Sequence, residues 1–256
     1  MNKTQPMTDA QYKHLKSDRD LADFVTFLAG LTKYVVMSEN FFLKKSEKIE
    51  PQLDELRAAF EKLGGASLAY ISYKNTMAEM TLCRGVDNFL CYIADLMRMV
   101  FEMNPDMLKS NEKISYSEIL GHESLESLKL EMIENKIFDL SNKGFRVLAK
   151  ELEEKYGFTI YRNQDHLENI VELVEIRNLI VHNRGIVNAV FKERVPKSLK
   201  SIGEKLVFDF NQDWKFMDML NDSFFYIDNV AEEKFKLPRS ERVFEKSPLV
   251  GPVFYT

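Results

Sequence analysis

Apolar residues recur along most of this chain at intervals of three and four, the spacing that places them on one face of an α-helix. Thr8-Asp9-Ala10-Gln11 has the form of a capping box, with Thr8 as N-cap and Gln11 three residues on. Leu21, Phe24, Val25, Leu28, Leu31 and Val35 then mark the buried stripe of a first helix, which Gly30 has the freedom to kink. Lys44-Lys45-Ser46-Glu47-Lys48 reads as its solvated end, and Pro51 suits the first turn of a second helix stopping near Gly64-Gly65. From Ala66 to about Met103 there is almost no helix breaker. The centre of that run, Met80 to Met97, is apolar around much of the helix, which predicts a central element covered on several sides. Gly85 within it costs about 1 kcal/mol against alanine and predicts a close helix crossing. Asn104-Pro105 ends the run, and residues 106–122 read as a connector.

Leu125, Leu128, Met132, Phe138 and Leu140 mark the next helix, closed by Gly144. Phe145 to Tyr156 is a short amphipathic helix closed by Gly157. Asn163 or Asp165 caps a further helix that ends at Gly185, and Ile186 to Phe191 reads as a short one after it. Pro196 to Gly203 is loop. Leu206-Val-Phe-Asp-Phe alternates weakly, so one short strand or hairpin is expected near residues 203–210. Trp214, Met217, Leu220, Phe224, Ile227 and Val230 define a last helix, from about Gln212 to Phe235. The expected fold is all-α, a helical bundle over residues 66–235. Residues 1–65 supply N-terminal helices that either join the bundle or stand as an appendage, and residues 236–256 form a loosely packed tail.

Composition adds exclusions. Only 10 Gly and 7 Pro in 256 residues agree with an α-rich chain. A formal net charge of −5 argues against a surface that coats nucleic acid, although 35 Lys and Arg leave room for a local basic groove. Cys83 and Cys91, the only two cysteines, lie eight apart on one helix, too far for a disulfide, and read as buried reduced thiols. No Cys/His spacing suits zinc, and no cofactor is expected. The N-terminus lacks the apolar core of a signal peptide, and no run approaches the ~18 apolar residues of a membrane span. The expectation is a cytoplasmic protein with no membrane partner.

The chemistry concentrates in Ile176-Arg-Asn-Leu-Ile-Val-His-Asn-Arg-Gly185. On a helical wheel, Leu167, Ile170, Leu173, Val174, Ile176, Ile180 and Val181 span a wide apolar arc, with Glu168, Glu172 and Glu175 on an opposite wet face. Arg177 falls near the centre of the arc, where an unpaired charge is costly. Its planar, permanently charged guanidinium suits a phosphate or a developing oxyanion. His182 sits in the last turn, suited to acid or base work, and Asn178 lies one turn before it on the same edge. Arg177 and His182, about 140° apart, do not share a face of one helix. No adjacent nucleophile or carboxylate cluster is present, so the fitting reaction is one whose substrate brings its own nucleophile, as RNA does with its 2′-hydroxyl. A plainer reading stands beside this one, in which Arg177 pairs with Asp87 or Asp95 of the central helix and His182 is a satisfied helix-end residue.

Arg177-Asn178-Leu179-Ile180-Val181-His182 resembles the motif of the HEPN superfamily: an Arg and a His with four to six residues between them, the first of which is polar and often Asn. The order of helices over residues 66–235 is similar as well. The resemblance implies a helical bundle that forms a homodimer, with Arg177, Asn178 and His182 of both chains building one composite site. It implies a metal-independent endoribonuclease that acts on RNA and leaves a 2′,3′-cyclic phosphate and a 5′-hydroxyl. It further implies a toxin–antitoxin or anti-phage setting, with a cognate antitoxin or a defence-system subunit as partner. Other members of the superfamily bind RNA or nucleotides, or serve as interaction domains, without catalysis.

Overall fold

A computed structural model describes residues 4–44, 66–109, 114–208 and 210–243. The helix expected from Pro51 to Gly64-Gly65 and the end of the tail, including Val253-Phe254-Tyr255, lie outside them. The described residues form eight α-helices and one two-stranded ribbon, an all-α bundle. In chain order these are β1 (Thr4–Met7), α1 (Asp9–Lys44), α2 (Ala66–Met103), α3 (Tyr116–Gly121), α4 (Leu125–Asn142), α5 (Phe145–Tyr156), α6 (Gln164–Asn183), α7 (Ala189–Arg194), α8 (Phe210–Phe235) and β2 (Ser240–Val243). A 3₁₀ turn, Pro105–Leu108, and α3 occupy the stretch read as a connector.

The helix α2 is the axis of the molecule. Ala78, Leu82, Val86, Phe89, Ile93, Leu96, Met97 and Val100 recur at three and four and are all buried. α1, α4, α6 and α8 all pack on α2, while α5 and α7 pack on α6. At Gly85 a Cβ would overlap the thioether of Met217, so the missing side chain lets α8 cross α2 closely. The N-terminal helix belongs to this bundle. Met7, Ala10 and Leu15 share one core cluster with Leu82, Val86 and Phe89.

Local signals fix the helix ends. The capping box forms: the Gln11 N–H donates to Thr8 Oγ1 at 3.1 Å, and the Thr8 N–H donates back to Gln11 Oε1 at 3.2 Å. Asn163 caps α6 by accepting from the His166 N–H at 2.9 Å, and Asn188 caps α7 through the Phe191 N–H at 2.9 Å. Gly157 ends α5 with φ 58, a left-handed conformation that suits glycine.

Buried polar contacts then tie the termini together. Asp228 of α8, 3% exposed, accepts from Gln11 Nε2 at 2.6 Å, Tyr92 Oη at 3.1 Å and Arg239 Nη2 at 3.3 Å. Burial raises its carboxyl pKa and pushes the Tyr92 phenol well up. Beside it, buried His14 stacks on Phe224 with ring centroids 4.3 Å apart and faces Asp18 at 3.2 Å.

Three expectations need correction. The tail does not pack loosely throughout: Leu237 is buried, Arg239 is anchored on Asp228, and residues 240–243 form β2, antiparallel to β1 with Thr4 opposite Val243. A four-residue ribbon joining the two ends of the chain leaves no local pattern to read. No strand forms near residues 203–210 among those described. The alternation there is real, with Leu206 and Phe208 buried and Val207 exposed, but the segment meets residues 185–187 only through an isolated bridge of Lys205 to Ile186 and the backbone hydrogen bonds that flank it, too short to make a strand. Cys91 is exposed rather than buried, because it shares the outer polar stripe of α2 with Arg84, Asp87 and Asp95. Both thiols are held protonated, Cys83 up at about 11, chiefly by burial and then by Asp87.

Candidate functional site

α6 is enclosed on nearly every side. Ile170, Leu173, Val174, Ile176 and Leu179 are buried, and so is Glu175. The wet face expected for Glu168, Glu172 and Glu175 is therefore not wet. Glu168 takes a bidentate contact from Arg146 of α5, Glu172 accepts from Ser198 Oγ at 3.0 Å, and Glu175 accepts from Arg194 Nη1 at 3.1 and 3.3 Å. Arg146 holds the Glu168 carboxyl down at about 2. A helical wheel treats carboxylates as solvated; here α5, α7 and the loop after α7 lie over them and supply the cations and hydroxyl they need.

Arg177 finds the partner that its position demands. Its Nη2 lies 2.8 Å from Asp87 Oδ1 of α2, and its Nη1 donates to Asn178 Oδ1 at 3.1 Å. The pair is not sealed: the Arg177 side chain keeps 25% of its surface and Asp87 36%. Among the described residues, the buried Nε of Arg177 has no partner. Asn178 in turn donates from Nδ2 to Glu175 Oε2 at 3.4 Å. A continuous chain of contacts therefore runs from Asp87 on α2, through Arg177, Asn178 and Glu175 on α6, to Arg194 on α7. The other acidic candidate, Asp95, is taken by Arg98 within α2 and by Lys13 of α1.

His182 is exposed in the last turn of α6, with no hydrogen-bond or ion-pair partner among the described residues. It is not the satisfied helix-end residue of the plainer reading. The helix stops one residue later than this, at Asn183. Arg184 takes the left-handed conformation at φ 54 and Gly185 follows at φ 70. The turn is held by the Gly185 N–H on Leu179 O at 2.8 Å and by Lys205 Nζ on the Arg184 carbonyl.

Arg177, Asn178 and His182 all line one cavity of about 570 Å³ within a single chain. This differs from the expectation that one helix cannot bring Arg177 and His182 to one place. The wheel angle is right, but the cavity is broader than a helix face: its walls come from α2, α4, α5, α6 and α7. The buried part of the lining is mostly apolar, with Ile93, Met97, Phe145, Leu148 and Phe191, but it also holds the carboxylate of Glu175. The rim is polar. Arg194 also lines it, and sequence reasoning missed it together with Glu175. The available signal was an arginine closing a short helix immediately after the motif helix.

His166 and Ser223 do not form a base–nucleophile pair. His166 Nε2 lies 2.7 Å from Ser223 Oγ, but His166 Nδ1 accepts from the Arg162 N–H at 3.0 Å, so Nε2 carries the proton. Ser223 donates to the Met219 carbonyl, and the histidine cannot act as its base. No group of three or more His, Cys, Asp or Glu side chains among the described residues is arranged to hold a metal ion. No helix among them is long and apolar enough to cross a membrane. No family model matches the chain, nor does any curated protein or solved structure.

Proposed function

We propose that this protein is a HEPN-like, metal-independent endoribonuclease of the cytoplasm, working as a homodimer. The observation that carries the reading is the convergence of Arg177, Asn178 and unpartnered His182 on one open cavity. In the reaction the 2′-hydroxyl of RNA attacks the adjacent phosphorus and the 5′-oxygen leaves, giving a 2′,3′-cyclic phosphate and a 5′-hydroxyl. Arg177 offsets the charge that gathers on the phosphorane oxygens. His182 moves a proton at the attacking or leaving oxygen. Asn178 holds Arg177 Nη1 and so fixes the guanidinium plane. One chain brings one exposed imidazole to the site, whereas the reaction needs both a base and an acid, which supports two copies meeting at the motif. A cognate antitoxin or defence-system subunit is the partner that fits a nuclease of this kind.

The Arg177–Asp87 ion pair favours a second reading, a non-catalytic RNA-binding or interaction domain in which Arg177 fastens α6 to α2. Cleavage of single-stranded RNA in the presence of EDTA separates the two. The nuclease reading predicts cleavage by wild type and loss of it in His182→Ala. Cleavage by His182→Ala at the wild-type rate removes His182 from the mechanism. Absence of cleavage, with Arg177→Ala less stable, supports the second reading.

A further inference from the structure

The buried carboxylate of Glu175 takes no part in the proposed chemistry, yet it lines the same cavity as Arg177, Asn178 and His182. Glu175 is 6% exposed and lies three residues before Asn178 on α6, a spacing that makes the two side chains neighbours. A carboxylate only accepts hydrogen bonds. Arg194, the last residue of α7, spends Nη1 on both of its oxygens, at 3.1 and 3.3 Å. Glu175 Oε2 also accepts from Asn178 Nδ2 at 3.4 Å. On its other side Asn178 meets a pure donor, Arg177 Nη1, which donates to Asn178 Oδ1 at 3.1 Å. Turning the Asn178 amide over would set Oδ1 against the carboxylate and Nδ2 against the guanidinium, so both contacts would become repulsive. Asp87 Oδ1 holds Arg177 Nη2 at 2.8 Å, so the guanidinium is gripped at both terminal nitrogens.

We infer that Glu175 is a positioning residue of this site: held by Arg194, it fixes which end of the Asn178 amide faces Arg177, and through it the plane of the guanidinium. The inference rests on the nuclease reading only for its consequence in rate; the polarity of the contacts does not depend on it. Where residues 175 and 178 meet, one must accept and the other donate, and two acceptors or two donors fail.

Exchanging the two polarities in the full chain tests this. Asn178→Asp sets a second carboxylate against Glu175. Glu175→Gln offers one acceptor and one donor to two donors, Asn178 Nδ2 and Arg194 Nη1, so a donor faces a donor whichever way its amide turns. In Glu175→Gln/Asn178→Asp the new glutamine donates to the new aspartate and accepts from Arg194, while the aspartate still accepts from Arg177. Each single variant should lower the single-turnover rate at saturating RNA, in EDTA, by about tenfold or more, since misplacing a catalytic group by about 1 Å costs about 10²-fold. Glu175→Gln removes a negative charge beside the site, so it should lose rate with no weakening of RNA binding. The double variant should regain most of the loss, and the denaturant midpoints of the four proteins should follow the same order. Losses that simply add, in rate and in midpoint, overturn the inference. So does a double variant that regains the midpoint but not the rate, which would make the Glu175 contact structural alone. A wild type that does not cleave removes the nuclease reading, and the midpoints then decide whether Glu175 sets the Asn178 amide. Cleavage with additive losses keeps the nuclease reading and removes the positioning role.

Discussion

Two polar clusters grip the central helix α2, and they are finished differently. Around Asp228 the carboxylate is buried and holds Gln11, Tyr92 and Arg239, so helices from both ends of the chain close over a nearly satisfied group. Around Arg177 the ion pair to Asp87 stays partly open, and exposed His182 on the wall of the same cavity has no partner among the described residues; a buried arginine Nε lacks a partner there in both clusters, that of Arg239 in the first and of Arg177 in the second. Both clusters solve the cost of placing charge inside a helical bundle. The first spends its hydrogen-bonding capacity on the protein itself. The second keeps part of that capacity facing a space large enough for a ligand, and this is what separates a structural tie from a site.

Substitutions on the two sides should therefore diverge. Arg177→Ala should lower RNA cleavage by roughly 10²–10³ while changing stability by under about 1 kcal/mol, because the pair it breaks is partly exposed; single-turnover rates and denaturant melts measure the two effects. Asp228→Ala should act in the opposite sense. It leaves Arg239, Tyr92 and Gln11 without their shared acceptor and should cost about 3 kcal/mol of stability in denaturant titration, with the folded fraction still cleaving at the wild-type rate. Thr8→Ala removes one half of the capping box beside that hub and should cost about 1 kcal/mol, read by the same titration.

The pH dependence is set by the scaffold. Burial lowers the pKa of His14 and of His166, so the folded chain keeps both neutral where the unfolded chain binds protons. Their contribution is complete above about pH 6.5 and declines as pH falls below it toward their folded values. Glu151, held down at about 2 by Lys143, Lys155 and Lys136 against its burial, adds a second loss as pH falls from about 4.5. Thermal melts from pH 8 to 2 should be flat first and then fall in these two stages, with His166→Gln weakening the first.

The two clusters were also unequally legible in the sequence. α1, α2, α5 and α6 announced themselves through apolar periodicity, capping residues and glycines, because those signals are local. Gly85 even foretold the crossing with α8. The Asp228 hub left no trace, since its four members are residues 11, 92, 228 and 239 and meet only after folding. At the site, Arg177, Asn178 and His182 were singled out by type and position, and Asp87 was one of two partners considered. Glu175 and Arg194 escaped because a single-helix wheel cannot know that α7 lies over its polar side. The ribbon of β1 and β2 escaped for the same reason as the hub.

The most direct test sets His182→Ala against Asp228→Ala in one experiment, measuring cleavage of single-stranded RNA in EDTA, the chemistry of the product ends and the melting temperature. The account predicts that wild type leaves 2′,3′-cyclic phosphate ends. It predicts that His182→Ala melts like wild type but cleaves at least about a hundredfold more slowly, and that Asp228→Ala melts lower but cleaves normally when folded. A His182→Ala protein that still cleaves at the wild-type rate, or a wild type that leaves RNA intact, would contradict it.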